Sequence, residues 1–205
     1  MMDELVELAT PAVKKGSDRR QHIVNAALQC LQNQGYAQLT ARKVAAEAGI
    51  SLGNITYYFD SMDALLCEAY ELATAHLSQA SQIPTGKGGR TPMERLEAYL
   101  WAGFSPEVLT SPLLRLRVDL MSAAIENPKL AQIERALYQH HRETLEALLE
   151  AVGDKWKADR IPMVADLITA TLDGLWVDWL RRADSSSVKN GIEGCLHFAR
   201  MRLGT

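Results

Sequence analysis

The stretch LTARKVAAEAGISLGNITYYF, Leu39 to Phe59, carries hydroxyls and one carboxamide at close spacing, with no charge after Glu47. Ser51, Leu52, Gly53 and Asn54 open its second half. A carboxamide such as that of Asn54 can pair with both edge atoms of an adenine, and Leu52 can touch a thymine methyl. Gly53 adds no bulk where a close approach is needed. The hydroxyls of Thr40, Tyr57 and Tyr58 suit phosphate oxygens, which orient a protein on a duplex without reading its sequence. Reading of guanine would fall to Arg42 or Lys43, since Ser51 to Tyr58 contains no cation.

Other chemistry-bearing groups are weaker signals. His140, His141, Glu143 and Glu146 lie close together, and Glu193 and His197 are four apart. Neither group forms H-E-x-x-H or the paired E-x-x-H of di-iron bundles, and no G-x-S-x-G stands in the chain. They read as solvated helix faces, so neither a metal nor a cofactor is expected. The GKGG at 86–89 lacks the G-x-x-x-x-G-K-[ST] spacing of a phosphate loop and reads as linker. Two rival classes are a helical-bundle enzyme or small-molecule binder, and an interaction protein using the tight corner only for packing.

The elements that would position these groups are helical almost throughout, with no period-two segment between turn residues. A first helix fits Asp18–Gln34 and stops at Gly35. Thr40 caps a short helix ended by Gly49, Ser51 caps the next to about Tyr58, and Ser61 caps a long one. A short helix, a tight turn and a second short helix make a helix-turn-helix, whose second helix enters the major groove. Residues 83–92, IPTGKGGRTP, break the pattern. Helices are then expected at 92–104, 112–126, 129–152, 160–183 and 188–202, about nine in all. The organisation read from this is an arm at 1–17, a DNA-binding domain at 18–60, a connecting helix at 61–82 and a larger domain at 83–205.

Totals narrow the class. The chain has 205 residues, 47% of them apolar, with a net charge of −3. Local charge differs: residues 14–60 hold six cations (Lys14, Lys15, Arg19, Arg20, Arg42, Lys43) against three acids (Asp18, Glu47, Asp60). That excess of three fits a phosphate-facing surface. Cys30, Cys67 and Cys195 are widely spaced in apolar stretches and read as buried, reduced thiols. No apolar run is long enough for a membrane span, and the first residues have the wrong charge order for a signal peptide. A cytoplasmic protein without membrane attachment is expected.

In the larger domain, two apolar faces follow helical spacing. One includes Ile161, Ile168, Leu172, Leu175 and Trp179, the other Ile192, Cys195, Leu196 and Ala199. They could serve as the domain's own core or as an interface between copies. Trp101, Phe104, Arg115, Met121, Tyr138, His141 and Trp176 are candidates to line an apolar cavity with a few polar groups. Arg115 and Arg117 flank Leu116, so at most one faces inward, and it would need an anionic partner such as a ligand carboxylate, Asp119 or Asp173.

Residues 19–72 resemble the DNA-binding domain of the TetR family of bacterial regulators. The pattern T-x-x-x-[IV]-A-x-x-A-G-[IV]-S-x-G-x-[IL]-x-x-Y-F is met at Thr40, Val44, Ala45, Ala48, Gly49, Ile50, Ser51, Gly53, Ile55, Tyr58 and Phe59. The resemblance implies an all-α protein with an N-terminal helix-turn-helix domain and a larger C-terminal domain. That second domain would bind a small-molecule effector and form a homodimer through its last two helices. The implied function is a ligand-responsive repressor acting on double-stranded, palindromic operator DNA. Two positions depart from the pattern: Met62 stands where Lys is usual, and Thr56 where Tyr is frequent.

Overall fold

The computed structural model describes residues 11–80, 91–109, 112–153 and 155–204. The expected arm before Pro11 and the GKGG linker lie outside the described residues. Among the described residues there are ten α-helices and no strand. They are α1 (Pro11–Gln34), α2 (Ala41–Glu47), α3 (Leu52–Tyr58), α4 (Met62–Ala80), α5 (Pro92–Ala102), α6 (Pro106–Leu109), α7 (Pro112–Glu126), α8 (Pro128–Val152), α9 (Ile161–Arg182) and α10 (Ser185–Leu203). Without the single turn α6, the number is the nine expected.

The chain divides into two compact units, Met1–Ala73 and Thr74–Thr205, with the boundary inside α4. The first unit is built on Ile23, Ala27 and Leu31 of α1, Val44 and Ala45 of α2, Ile55 of α3, and Leu65, Ala69 and Tyr70 of α4, all buried. Gly49 sits between α2 and α3 at φ 62°, a left-handed conformation that side chains resist. The second unit surrounds a core that includes Leu96, Leu100, Leu145, Leu149, Ile168, Ile192 and Leu196.

Several elements depart from the sequence reading. Helix α1 begins at Pro11, not Asp18. Proline suits a first helical position, where its missing N–H costs nothing. Gly16 and Ser17 do not interrupt the helix, since one interior glycine costs only about 1 kcal/mol relative to alanine. Helix α10 begins at Ser185 because the Asp184 carboxylate accepts from the Ser186 N–H at 2.9 Å, so DSSS is a cap and first turn rather than a break. Ser51 precedes α3 but makes no capping bond from its side chain. Cys67 is half-buried, whereas Cys30 and Cys195 are buried as expected.

Candidate nucleic-acid interface and ligand cavity

Thr40 caps α2 by accepting from the Lys43 N–H at 3.3 Å, and the Lys43 ammonium donates to Gln38 Oε1. Arg42 is exposed one residue before. On α3 only Ile55 is buried. Ser51, Leu52, Gly53 and Tyr57 face solvent, with Leu52 43% and Tyr57 81% exposed. Asn54 donates to Ser51 Oγ at 3.0 Å, which explains the absent cap: the hydroxyl is engaged by a side chain instead. The Tyr58 ring packs edge-on against Tyr57, with centroids 5.0 Å apart. A Cβ placed on Gly53 would meet only Ser51 Oγ, at 3.8 Å. Nothing in the protomer therefore requires glycine there.

One cation counted toward the phosphate-facing surface is engaged internally. Arg20 Nη2 and Nε reach the Glu68 carboxylate at 2.5 and 3.2 Å, Nη1 donates to the Tyr58 carbonyl, and the guanidinium lies 4.1 Å from the Phe59 ring centroid. Close by, His22 Nε2 is 2.9 Å from the Ala48 carbonyl at the end of α2.

The second unit encloses a cavity of about 140 Å³. Of the residues expected to line one, Phe104, Tyr138, His141 and Trp176 do so; Trp101, Arg115 and Met121 do not. Trp101 packs against the core instead. Arg115 is exposed, and Arg117, two residues along α7 and so on another face, takes the inward position. It donates to the Glu134 carboxylate of α8 through two bonds of 2.6 and 2.7 Å, and its charge also acts on Asp173. The Trp176 indole donates to the Gly103 carbonyl at 2.9 Å, and its ring lies 5.9 Å from Phe104. These contacts fix one aromatic wall.

Sequence reasoning missed Tyr99 and Asp173 as lining residues. The Tyr99 hydroxyl is 3.2 Å from His141 Nδ1, and burial pushes its pKa up to about 12. His141 is held below its ordinary value by burial and by Arg117 and His140, against Glu134, which raises it. Asp173 makes no hydrogen bond or ion pair among the described residues. Burial raises its pKa, Arg117 draws it down and Glu134 adds to the rise. The sequence signal was available: Asp173 is the only charged residue between Leu167 and Val177.

The two apolar faces of α9 and α10 lie inside the protomer. Ile161, Ile168, Ile192, Cys195, Leu196 and Ala199 are buried in the unit's own core, and Leu172, Leu175 and Trp179 pack against it. The first six are covered within the protomer, whereas Leu172, Leu175 and Trp179 remain partly exposed. Each helix exposes a different stripe: Met163, Leu167, Ala170, Gly174 and Val177 on α9, and Asn190, Gly194, His197 and Met201 on α10. Among the described residues no cluster of three or more metal-ligating side chains occurs, and Glu146 is paired with Arg142. No helix there is long and apolar enough to cross a membrane.

The C-terminal model of BetI-type transcriptional repressors matches residues 92–204, and that of bacterial regulatory proteins of the tetR family matches residues 23–69. The chain belongs to the TetR family. This regulator is 25% identical over 166 residues to the HTH-type transcriptional regulator BetI of Stenotrophomonas maltophilia, covering 80% of this chain and 83% of that one. Its fold is similar to that of a protein described as a transcriptional regulator from Pseudomonas aeruginosa PAO1, with a TM-score of 0.73, 26% identity and 87% of each chain covered. It is also similar to the multidrug binding protein EbrR complexed with ethidium, with a TM-score of 0.64, 26% identity, and 87% of this chain and 97% of that one covered. The TetR-family regulator is thus a helix-turn-helix DNA-binding protein of the repressor type.

Proposed function

We propose that the regulator binds a palindromic operator as a homodimer, reads it with α3, and releases it when a compact organic cation fills the cavity of the second unit. The observation that carries the reading of DNA is the solvent face of α3. Leu52 and Tyr57 stand in water on a two-turn helix, beside a glycine whose position the protomer leaves open. Thr40, Arg42, Lys43 and Tyr58 are assigned to phosphates, and Ser51, Leu52, Gly53 and Asn54 to the groove. Asn54 must give up its bond to Ser51 to meet a base. Enrichment of one duplex from a random pool, repeated with Asn54→Ala, tests this. Relaxed preference at one base pair per half-site is expected, and an unchanged preference removes Asn54 from the readout.

The homodimer is assigned to the exposed stripes of α9 and α10. Their residues recur at spacings of four, three, four and three on α9, and of four, three and four on α10, as a helix seam requires. A Cβ at Gly174 or Gly194 would meet nothing within 4 Å, so neither glycine serves the protomer's own packing. Small residues on such a face let a second pair of helices approach closely.

Asp173 supports the effector class. A carboxylate without a hydrogen-bond partner, beside Trp176, Phe104 and Tyr99, offers a cation both charge and aromatic faces. EbrR, complexed with the cation ethidium, gives a parallel. A volume near 140 Å³ is close to that of a cavity that takes benzene, which limits the effector to a compact body unless the walls move. Titration with tetramethylammonium against neutral tert-butyl alcohol separates charge from shape. Equal binding of the two would remove Asp173 from recognition.

A further inference from the structure

We infer that Arg20 is a positioning residue for the recognition helix: it grips the C-terminal end of α3 and is itself held by α4. This rests on the reading of α3 as the element that enters DNA. Helix α3 has only seven residues; the Phe59 N–H closes its last turn on the Ile55 carbonyl, and the carbonyls after that lie beyond the helix's own ladder. Arg20 donates to one of them, that of Tyr58, and its guanidinium covers the ring of the buried Phe59 that follows. The other side of the same guanidinium forks onto Glu68, in the second turn of α4. One planar group thus ties α1, the end of α3 and α4 together within the first unit. Arginine suits this task because its five donors lie in a fixed fork, whereas a lysine ammonium is a point charge on a flexible stem.

The arrangement contributes geometry more than stability. The side chains of Arg20 and Glu68 are 42% and 35% exposed, and pairs in that range are worth little to folding. A displacement of Glu68 along or about the α4 axis would reach the Tyr58 carbonyl through a single side chain. Helix α4 is continuous from Met62 to Ala80, across the boundary between the two units. Arg20 thereby couples the orientation of α3 to a helix that also belongs to the second unit.

The test uses the full chain and the duplex that the parent enriches from a random pool, with affinity measured over a range of salt. Arg20→Lys keeps the charge and loses the fork; it should weaken binding by about tenfold. The slope of log affinity against log salt should stay at the parent value, because no phosphate contact is lost. A direct contact would instead lower the slope by about 0.9 when Arg20→Gln is measured. Glu68→Ala gives the sharper sign. Removing an acid near DNA should tighten binding on electrostatic grounds alone; loss of the grip on Arg20 should weaken it. Weaker binding by Glu68→Ala and Arg20→Lys at unchanged slope is the expected result. Parent-like affinity in Arg20→Lys, tighter binding in Glu68→Ala, or a reduced slope in Arg20→Gln each overturns the assignment. If Arg20→Gln does not fold, as read by its helical circular dichroism, Glu68→Ala alone decides, since it leaves the Tyr58 contact in place. If the parent enriches no duplex, the reading of α3 fails first and this inference fails with it. If Asn54→Ala relaxes preference while the Arg20 and Glu68 variants match the parent, only this inference fails.

Discussion

Gly53 separates what the protein needs for itself from what its target needs. Its position lies inside a helix, its backbone is not left-handed, and a Cβ would meet no atom closer than 3.8 Å. Gly53→Ala should therefore stabilise the fold, by up to about 1 kcal/mol, and raise the melting temperature. The same variant should bind operator DNA more weakly, since a methyl group now stands where a groove wall must come close. Opposite signs in the melting and binding measurements are the expected outcome. Asp173 makes a second residue-level case. Its pKa is raised in the folded protein by burial, so the folded state binds the proton more tightly than the unfolded chain. Its contribution to stability is complete at low pH and is lost as pH rises from the unfolded value through the folded one. Asp173→Asn should flatten that fall and leave the free protein more stable at neutral pH. It should also abolish the preference for tetramethylammonium. In the parent, affinity for the cation should increase with pH over the same window, because the ionised carboxylate attracts it more strongly than the neutral acid does.

Elements show which part of the structure was legible in the sequence. The helix-turn-helix was legible because its signals are local: Thr40 caps α2, Gly49 turns left-handed, and Ile55 and Phe59 point inward. The faces of α9 and α10 were legible as apolar but not as to what covers them. Periodicity reports that a face is buried, and the more apolar face went to the protomer's own core. The face left exposed is the weaker stripe of Met163, Leu167, Ala170, Gly174 and Val177, where Ala170 and Gly174 add little apolar signal. The inward arginine was similarly undetermined, because Arg115 and Arg117 differ only in their angle about α7. Leu167→Glu should give folded monomers with parent helicity and weak operator binding. Leu196→Asp should instead damage the fold, at a cost on the order of 4 kcal/mol, since Leu196 is 4% exposed in its own protomer. Light scattering and thermal melting together distinguish the two outcomes.

At the scale of the whole molecule, α4 is the element common to both units. Leu65, Leu66, Ala69 and Tyr70 are buried in the first unit, while Thr74 and Leu77 line the cavity of the second. A ligand can shift DNA binding only by its differential affinity for two states of the protein, and the effect is reciprocal. Cation affinity should therefore fall when operator DNA is present by the same factor by which the cation weakens operator binding. Leu77→Ala should reduce that factor more than it reduces either affinity alone. Paired titrations check it, and a factor unchanged from the parent would assign the transmission to another element.

The bond between the Trp176 indole and the Gly103 carbonyl has an optical consequence. Trp176 lines the cavity, whereas Trp101 and Trp179 do not. Its emission is set by the polarity next to the ring and by whether the indole hydrogen keeps its acceptor. Filling the cavity changes what lies against that ring, so the intensity and wavelength of intrinsic fluorescence should follow occupancy without any attached dye. Replacing Trp101 and Trp179 with phenylalanine would remove much of the background and leave the regulator carrying its own gauge of what it has bound.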